Sequence, residues 1–183
     1  AGRLWSFSPT NSRVVSPKSF GSINDGSTSD DVPTQIAIDY LASIGGGIVF
    51  LNDNQWALEG VEILNDNIAI AGLGRYATNV KYIGDPATTN TVAAFSLGQS
   101  KTGSGSLIPV SGCIIKGMTI DGNRAGGAIG GGIRVTVFDG LLIEDVEIKD
   151  CYGNYGFGIV GTGASPRNDI VVRDCAAFRC GAG

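Results

Sequence analysis

Between Asp25 and Leu58 the hydrophobic rhythm of the chain changes twice. The stretch "DGSTSDD" is polar, "VPTQIAIDYLASI" sets Ile36, Ala37, Tyr40, Leu41 and Ile44 three and four residues apart, and "GGG" precedes the apolar run "IVFLNDNQWAL". Apolar residues at that spacing form one stripe along a helix. The spacing predicts a helix of about three turns. Asp30 and Asp31 open it, because their carboxylates can accept the free backbone N–H groups of a first turn, and Pro33 sits where a missing N–H does no harm. Gly45 to Gly47 close it, since glycine tolerates the left-handed conformation of a C-terminal cap. Short strands follow, so the single helix is expected to cover the end of a β-structure whose free edges would otherwise pair with other chains.

Three downstream segments align without gaps: "CIIKGMTID" from Cys113, "LLIEDVEIK" from Leu141 and "IVVRDCAAF" from Ile170, with starts 28 and then 29 residues apart. Self-similarity at such a period marks a repeat architecture, and each copy here is a pair of very short strands. The expected class is all-β, a parallel β-helix or solenoid with one short N-terminal capping α-helix. Alternation within each copy points Cys113, Ile115, Met118 and Ile120 inward, with Leu141, Ile143, Val146 and Ile148, then Ile170, Val172, Cys175 and Ala177. Gly117, Asp145 and Asp174 fall between the two strands of their copies. Glycine and aspartate suit a corner there.

Stacked coils lie about 4.8 Å apart, so equivalent outward residues form columns. Lys116, Glu144 and Arg173 make one, Thr119, Glu147 and Ala176 a second, and Asp121, Lys149 and Phe178 a third. The first column reads most simply as a charge ladder, each exposed pair contributing about 0 to 1 kcal/mol. A sharper reading makes it one wall of a shallow charged groove, with Lys116, Glu144 and Arg173 as substrate-binding candidates and Asp121, Glu147 and Lys149 as catalytic candidates.

The order of cap helix, triple glycine and strand resembles the N-terminal opening of the pectate-lyase-like superfamily of right-handed parallel β-helices. The resemblance continues through "NIAIAGLGRYATNVKYIG", Asn67 to Gly84, where two strands flank a "GLG" turn; together these parts cover about a third of the chain. It implies a right-handed coil and an extended glycan held along a flat side. It also implies chemistry by paired Asp or Glu, or by an Arg or Lys base beside acidic calcium ligands. No cofactor is expected, and Ca2+ only if the protein is a lyase. The polygalacturonase-type signatures "NTD", a paired "DD" on a strand and "GHG" are missing. "SDD" at Ser29 to Asp31 reads as a helix cap, and "DGN" at Asp121 to Asn123 as a turn.

Composition narrows the function. The chain has 183 residues, 29 of them glycine, and no histidine, which excludes Ser-His-Asp, Cys-His and other histidine-based schemes within it. A net charge of −4 without a basic stripe argues against a nucleic-acid partner, and no apolar run is long enough for membrane insertion. Of four cysteines, Cys113 and Cys175 fall at inward positions and read as small core hydrophobes. Cys151 and Cys180 are 29 apart, one coil, so they are expected to stack as a disulfide or as two reduced thiols. Without histidine or a second CxxC-type pair, no metal site is expected. "GLG" at Gly72 to Gly74 and "GGAIGGGI" at Gly126 to Ile133 lack the helix or the Lys-Ser/Thr of a phosphate cradle and read as corners and loops. Asp85 to Pro109 reads as an inserted or protruding loop pair around one apolar strand, Val92 to Leu97.

The lead "AGRLWSFSPTNSRVVSP" has no signal-peptide core and resembles a connector. Residues 1–16 are read as that connector and 17–183 as the first coils of a β-helix domain that continues beyond Gly183, since solenoids close with capping coils. Within the superfamily this arrangement is most like a phage tailspike or tail fibre. Such a protein is expected to be a homotrimer at the virion tail, joined to other tail proteins through an N-terminal module, that binds bacterial surface polysaccharide and, where it is an enzyme, depolymerises it. The alternatives are a secreted lyase, glycoside hydrolase or uronan epimerase, and a non-catalytic structural module.

Overall fold

The computed structural model describes residues 13–84, 93–102, 105–126, 130–152, 156–159 and 169–181. Its elements follow in chain order: β1 (Val14–Val15), α1 (Asp31–Ser43), β2 (Gly47–Leu51), β3 (Gln55–Leu58), β4 (Val61–Ile63), β5 (Ile68–Gly72), β6 (Asn79–Tyr82) and β7 (Phe95–Leu97). Then come β8 (Val110–Ser111), β9 (Ile114–Asp121), β10 (Ile133–Val135), β11 (Phe138–Asp139), β12 (Leu141–Lys149), β13 (Phe157–Ile159), β14 (Ile170–Arg173) and β15 (Ala176–Phe178). The fold is mostly β with one helix.

Every pairing between these strands is parallel, as stacked turns of one chain require. A nine-stranded sheet runs β1-β2-β5-β9-β12-β14, with β3, β6 and β15 alongside; β13-β10-β7-β4 form a second sheet, and β11 pairs with β8 in a third. The core lies between them. Leu51, Trp56, Leu58, Ile63, Ile70, Phe95, Ile115, Ile143 and Ile148 are all fully buried, and each such side chain contributes about 1.5 to 3 kcal/mol on leaving water.

The repeat register is the expected one. Ile115 pairs with Ile143 and Ile143 with Val172, while Glu144 pairs with both Lys116 and Arg173. The corner residues Gly117, Asp145 and Asp174 take φ of 67°, 52° and 53°, the left-handed conformation that glycine and aspartate tolerate. One turn earlier the same corner is Gly72, where an added Cβ would stand 2.2 Å from the Gly117 carbonyl oxygen. In the third copy the inward positions are less covered, Val172 being 44% exposed, because no coil stacks on β14 among the described residues.

The helix departs from expectation in its buried face. Thr34, Ala37, Ile38 and Leu41 face the core, whereas Ile36 and Tyr40 are 42% and 49% exposed. Ile38 is absent from the predicted stripe, and Ile36 and Tyr40 do not belong to it; Tyr40 rests instead on Phe20 of the short helical turn Pro17–Phe20, ring centroids 6.3 Å apart.

Nor do the two aspartates cap α1 with their side chains. The Asp30 carboxylate accepts the N–H groups of Ile23 (2.9 Å), Asn24 (3.3 Å) and Ala57 (3.2 Å). Asp31 Oδ1 accepts those of Glu59 (2.9 Å) and Gly60 (3.2 Å). Asp31 pins the helix to the turn between β3 and β4, and Asp30 pins it to β3 and to the Ile23–Asn24 segment, rather than finishing the helix itself.

Two glycine- and serine-rich stretches also differ from their reading. Phe95–Leu97 does not protrude; β7 lies inside the second sheet between β4 and β10 and is fully buried, while residues 85–92 and 103–104 lie outside the described residues. Ile133, read as loop, begins strand β10. β1, in the stretch read as connector, pairs with β2.

Asp30 supplies the test of how the helix is held. Asp30→Ala leaves three N–H groups without their acceptor, and urea unfolding is expected to show a loss of roughly 2 to 4 kcal/mol, against about 1 for a simple cap.

Candidate functional site

The long strands β9, β12 and β14–β15 lay the outward residues in the expected columns. What those columns do is mostly to neutralise themselves. Arg173 reaches Glu144 Oε1 with Nη2 at 2.5 Å and Nε at 2.7 Å, and Lys149 Nζ lies 3.4 Å from Asp121 Oδ2. At the corner, Arg75 holds Asp145 with its Nε at 3.1 Å and its backbone N–H at 3.3 Å. At the far end of the strands, Arg179 clasps Asp150 through Nε and Nη2 at 2.5 and 2.6 Å, which holds that carboxyl below its ordinary pKa.

Two candidates are left without an ion partner among the described residues. Glu147 stands between Thr119 and Ala176, and the Thr119 hydroxyl is already given to the Arg75 carbonyl. Lys116 is exposed and lines a shallow groove of about 290 Å³ with Gly72, Leu73, Gly74, Gly117, Glu144 and Asp145. The loop that forms its rim also carries Tyr76, 85% exposed, with the Arg75 guanidinium 5.7 Å from its ring centre. A cation, a flat aromatic face and glycine-lined backbone suit a hydroxylated or acidic chain better than an apolar ligand. Sequence reasoning misses both Arg75 and Tyr76, because "GLGRYATN" reads only as a turn.

A second cleft, about 500 Å³, lies beside α1 and is lined by Asp31, Gln35, Asp39, Glu62 and Lys101 among others. Lys101 Nζ is 3.5 Å from Asp31 Oδ2, an oxygen that has no hydrogen-bond partner. Burial raises the Asp31 pKa, opposed by the Gly60 and Glu59 N–H groups and by Lys101. Among the described residues no group of three or more His, Cys, Asp or Glu is placed to hold a metal ion.

The four cysteines are free thiols. Cys113 is buried in the core, which pushes its thiol up to about 11. Cys151 and Cys180 stack in adjacent turns, joined by the Gly181 N–H to Cys151 carbonyl bond, as two reduced thiols rather than a disulfide. Burial first, and Cys180 second, raise the Cys151 pKa. With their pKa raised by burial, Cys113 and Cys151 are poor nucleophiles.

No protein-family model matches the chain. It is 29% identical over 163 residues to mannuronan C5-epimerase AlgE6 of Azotobacter vinelandii, covering 76% of this chain and 17% of that protein. With AlgE4 of the same organism it is 29% identical over 157 residues, 76% of this chain and 26% of the other. With AlgE1 it is 30% identical over 161 residues, 79% and 11%. Among solved structures, the AlgE4 A-module superposes with a TM-score of 0.62 at 21% identity, over 87% of this chain and 43% of the other. The AlgE6 A-module gives 0.60 at 23%, over 87% and 42%. ORF18 of Geobacillus virus E2 gives 0.55 at 22%, over 90% and 36%. The chain has the parallel β-helix fold of these A-modules. It spans about a quarter or less of the curated relatives and under half of the solved chains.

The raised pKa of Asp31 has a measurable sign. Its carboxyl binds a proton more readily in the folded chain than in the unfolded one, so its contribution favours folding at low pH and is lost as pH rises from 3.8 through the raised value. Urea unfolding across that window is expected to show the stability of wild type relative to Asp31→Asn falling with pH; parallel profiles would contradict it.

Proposed function

We propose that this chain is part of a right-handed parallel β-helix that binds an extended polysaccharide along the outer face of its nine-stranded sheet. The observation that carries this reading is the groove at the Gly72–Gly117 corner, where Lys116, the cation of that column without an ion partner among the described residues, lies beside the exposed Tyr76 loop. A pyranose ring stacks on an aromatic face, and an ammonium group donates to hydroxyl or carboxylate oxygens.

Within this chain the face serves binding rather than turnover. Asp121 is held by Lys149 and Glu144 by Arg173, and there is no histidine to move protons. In the whole protein we assign the module to a phage tailspike, a homotrimer whose β-helix recognises bacterial surface glycan; the fold likeness to ORF18 of Geobacillus virus E2 supports that context. A second reading, a uronan epimerase, is favoured by the 29–30% identity with mannuronan C5-epimerases. Solution mass separates them: a trimer supports the tailspike, a monomer that changes the C5 configuration of uronate residues supports the epimerase.

Binding by affinity electrophoresis in polysaccharide-containing gels is the test of the shared part. Lys116→Ala and Tyr76→Ala are each expected to weaken retention by roughly five- to tenfold, as loss of about 1 kcal/mol or somewhat more implies. Asp121→Asn and Glu147→Gln should leave any turnover by the full protein unchanged. Loss of turnover in either would make the outer columns catalytic, and undiminished retention of both groove variants would remove the groove assignment.

A further inference from the structure

The last two described turns bring two cysteines to the same place. Lys149 pairs with Phe178 and Tyr152 with Gly181, so the same register sets Cys151 opposite Cys180. The match is held from both sides. Ahead of the cysteines the Asp150 N–H donates to the Phe178 carbonyl at 3.0 Å, and Arg179 clasps the Asp150 carboxylate. Beyond them the Gly181 N–H donates to the Cys151 carbonyl at 3.3 Å. Asp150 and Arg179 share the left-handed backbone, φ 53° and 50°, so the chain turns the same way into each cysteine. Cys151 lies in the hydrophobic core and Cys180 packs against it.

Stacked turns lie about 4.8 Å apart, within the Cα separation of about 4.4 to 6.8 Å that a disulfide spans. Glycine keeps the space around the sulfurs open. A Cβ added at Gly122 would stand 2.7 Å from Cys151 Sγ, and one added at Gly156 would stand 3.4 Å from Cys180 Sγ. Burial first, and then the Cys180 thiol by charge and by hydrogen bond, raise the Cys151 pKa, so the two sulfurs are within direct reach of each other. The remaining cysteines have no such neighbour among the described residues: register sets Cys113 opposite Leu141 and Cys175 opposite Val146. Access also differs within the pair. Cys151 is fully buried, whereas Cys180 is half-buried, so an oxidant in solution meets Cys180 first.

We propose that Cys151 and Cys180 form a redox-controlled cross-link, open in reducing surroundings and closed by a soluble disulfide such as oxidised glutathione. The Cys180 thiolate attacks one sulfur of the oxidant, forming a mixed disulfide and releasing one glutathione thiolate, which takes up a proton. The Cys151 thiol then gives up its proton, and its sulfur attacks Cys180 Sγ and expels the second glutathione. Two protein thiols are oxidised and one disulfide is reduced to two thiols. Burial makes Cys151 a weak nucleophile, but its attack is intramolecular and oriented, so position supplies what acidity does not. The closed bond ties the Ala176–Phe178 turn to the turn beneath it across 29 residues and constrains the unfolded chain. The cross-link does not depend on the polysaccharide reading, although a protein that works on extracellular glycan meets the oxidising surroundings that close it.

The test equilibrates the folded full chain with oxidised and reduced glutathione, blocks free thiols with N-ethylmaleimide, and maps tryptic peptides without reduction. Trypsin cuts after Arg179 and so separates Cys175 from Cys180, leaving Cys151 in peptide 150–167 and Cys180 in peptide 180–183. The expected product is those two peptides joined, with Cys113 and Cys175 blocked by maleimide and the link lost on adding dithiothreitol. Cys151→Ser is expected to stop at a glutathione mixed disulfide on Cys180. Closure should lower the unfolding equilibrium constant at least about tenfold, read as a higher urea midpoint than that of the reduced chain. Four blocked thiols in the oxidised chain overturn the proposal, as does a mixed disulfide on Cys180 that persists in wild type, or a link to Cys113 or Cys175. A joined pair that leaves the urea midpoint unmoved overturns the cross-link's hold on the turn. Should Cys151→Ser not fold, the wild-type peptide map decides alone, by the presence or absence of the joined pair.

Discussion

Parallel stacking in a fixed register is the constraint on which the rest of this structure depends. Each turn of chain satisfies its backbone N–H and C=O groups on the turn before and the turn after. A one-residue slip would send the whole buried set outward. The register therefore has to be held at the corners, and it is held by residues that accept a left-handed backbone: Gly117, Asp145 and Asp174 in one column, Asp150 and Arg179 in another. The cap helix follows the same logic. Asp30 and Asp31 commit their carboxylates to backbone N–H groups of neighbouring segments, so that the first turns are locked to α1 by hydrogen bonds as well as by the burial of Ile38 and Leu41.

The same register decides the chemistry of the surface. Residues spaced one turn apart become neighbours, so a carboxylate in one turn meets a cation in the next. Asp121 with Lys149, Glu144 with Arg173 and Asp150 with Arg179 are all pairs of this kind. Exposed pairs contribute little to stability, yet they remove those charges from use in binding or catalysis. Among the described residues the candidates left over are Glu147, between Thr119 and Ala176, and Lys116 at the corner groove. The Lys116 ammonium is a donor that suits an oxygen-rich polymer, and it is compatible with a chain of net charge −4, since recognition depends on the local arrangement of charge.

The first sheet is legible in the sequence because its repeats keep nearly constant length. Cys113, Leu141 and Ile170 start copies 28 and 29 residues apart, and period-2 alternation then determines which side chains face inward. The second sheet is hidden because Val61, Phe95, Ile133 and Phe157, though stacked in register, are 34, 38 and 24 residues apart. Loops of unequal length between those strands erase any period, and three-residue strands such as "IRV" carry too little pattern to stand out from flanking glycines. The helix is legible but rotated, since Ile36, Tyr40 and Ile38 all look apolar and only the packing decides which of them turns inward. For the site, the repeat spacing names the columns correctly and cannot show that most of their charges pair with each other.

Hydrogen exchange of the full chain with and without an acidic polysaccharide is the sharpest test of polymer binding at the corner groove, because it reports where the polymer lies without assuming any residue's role. Added protection is expected in the Gly72–Thr78 loop and around Lys116–Gly117, with neutral polysaccharide giving less. Protection confined to the helix side of the molecule, or none anywhere at saturating polymer, would contradict it.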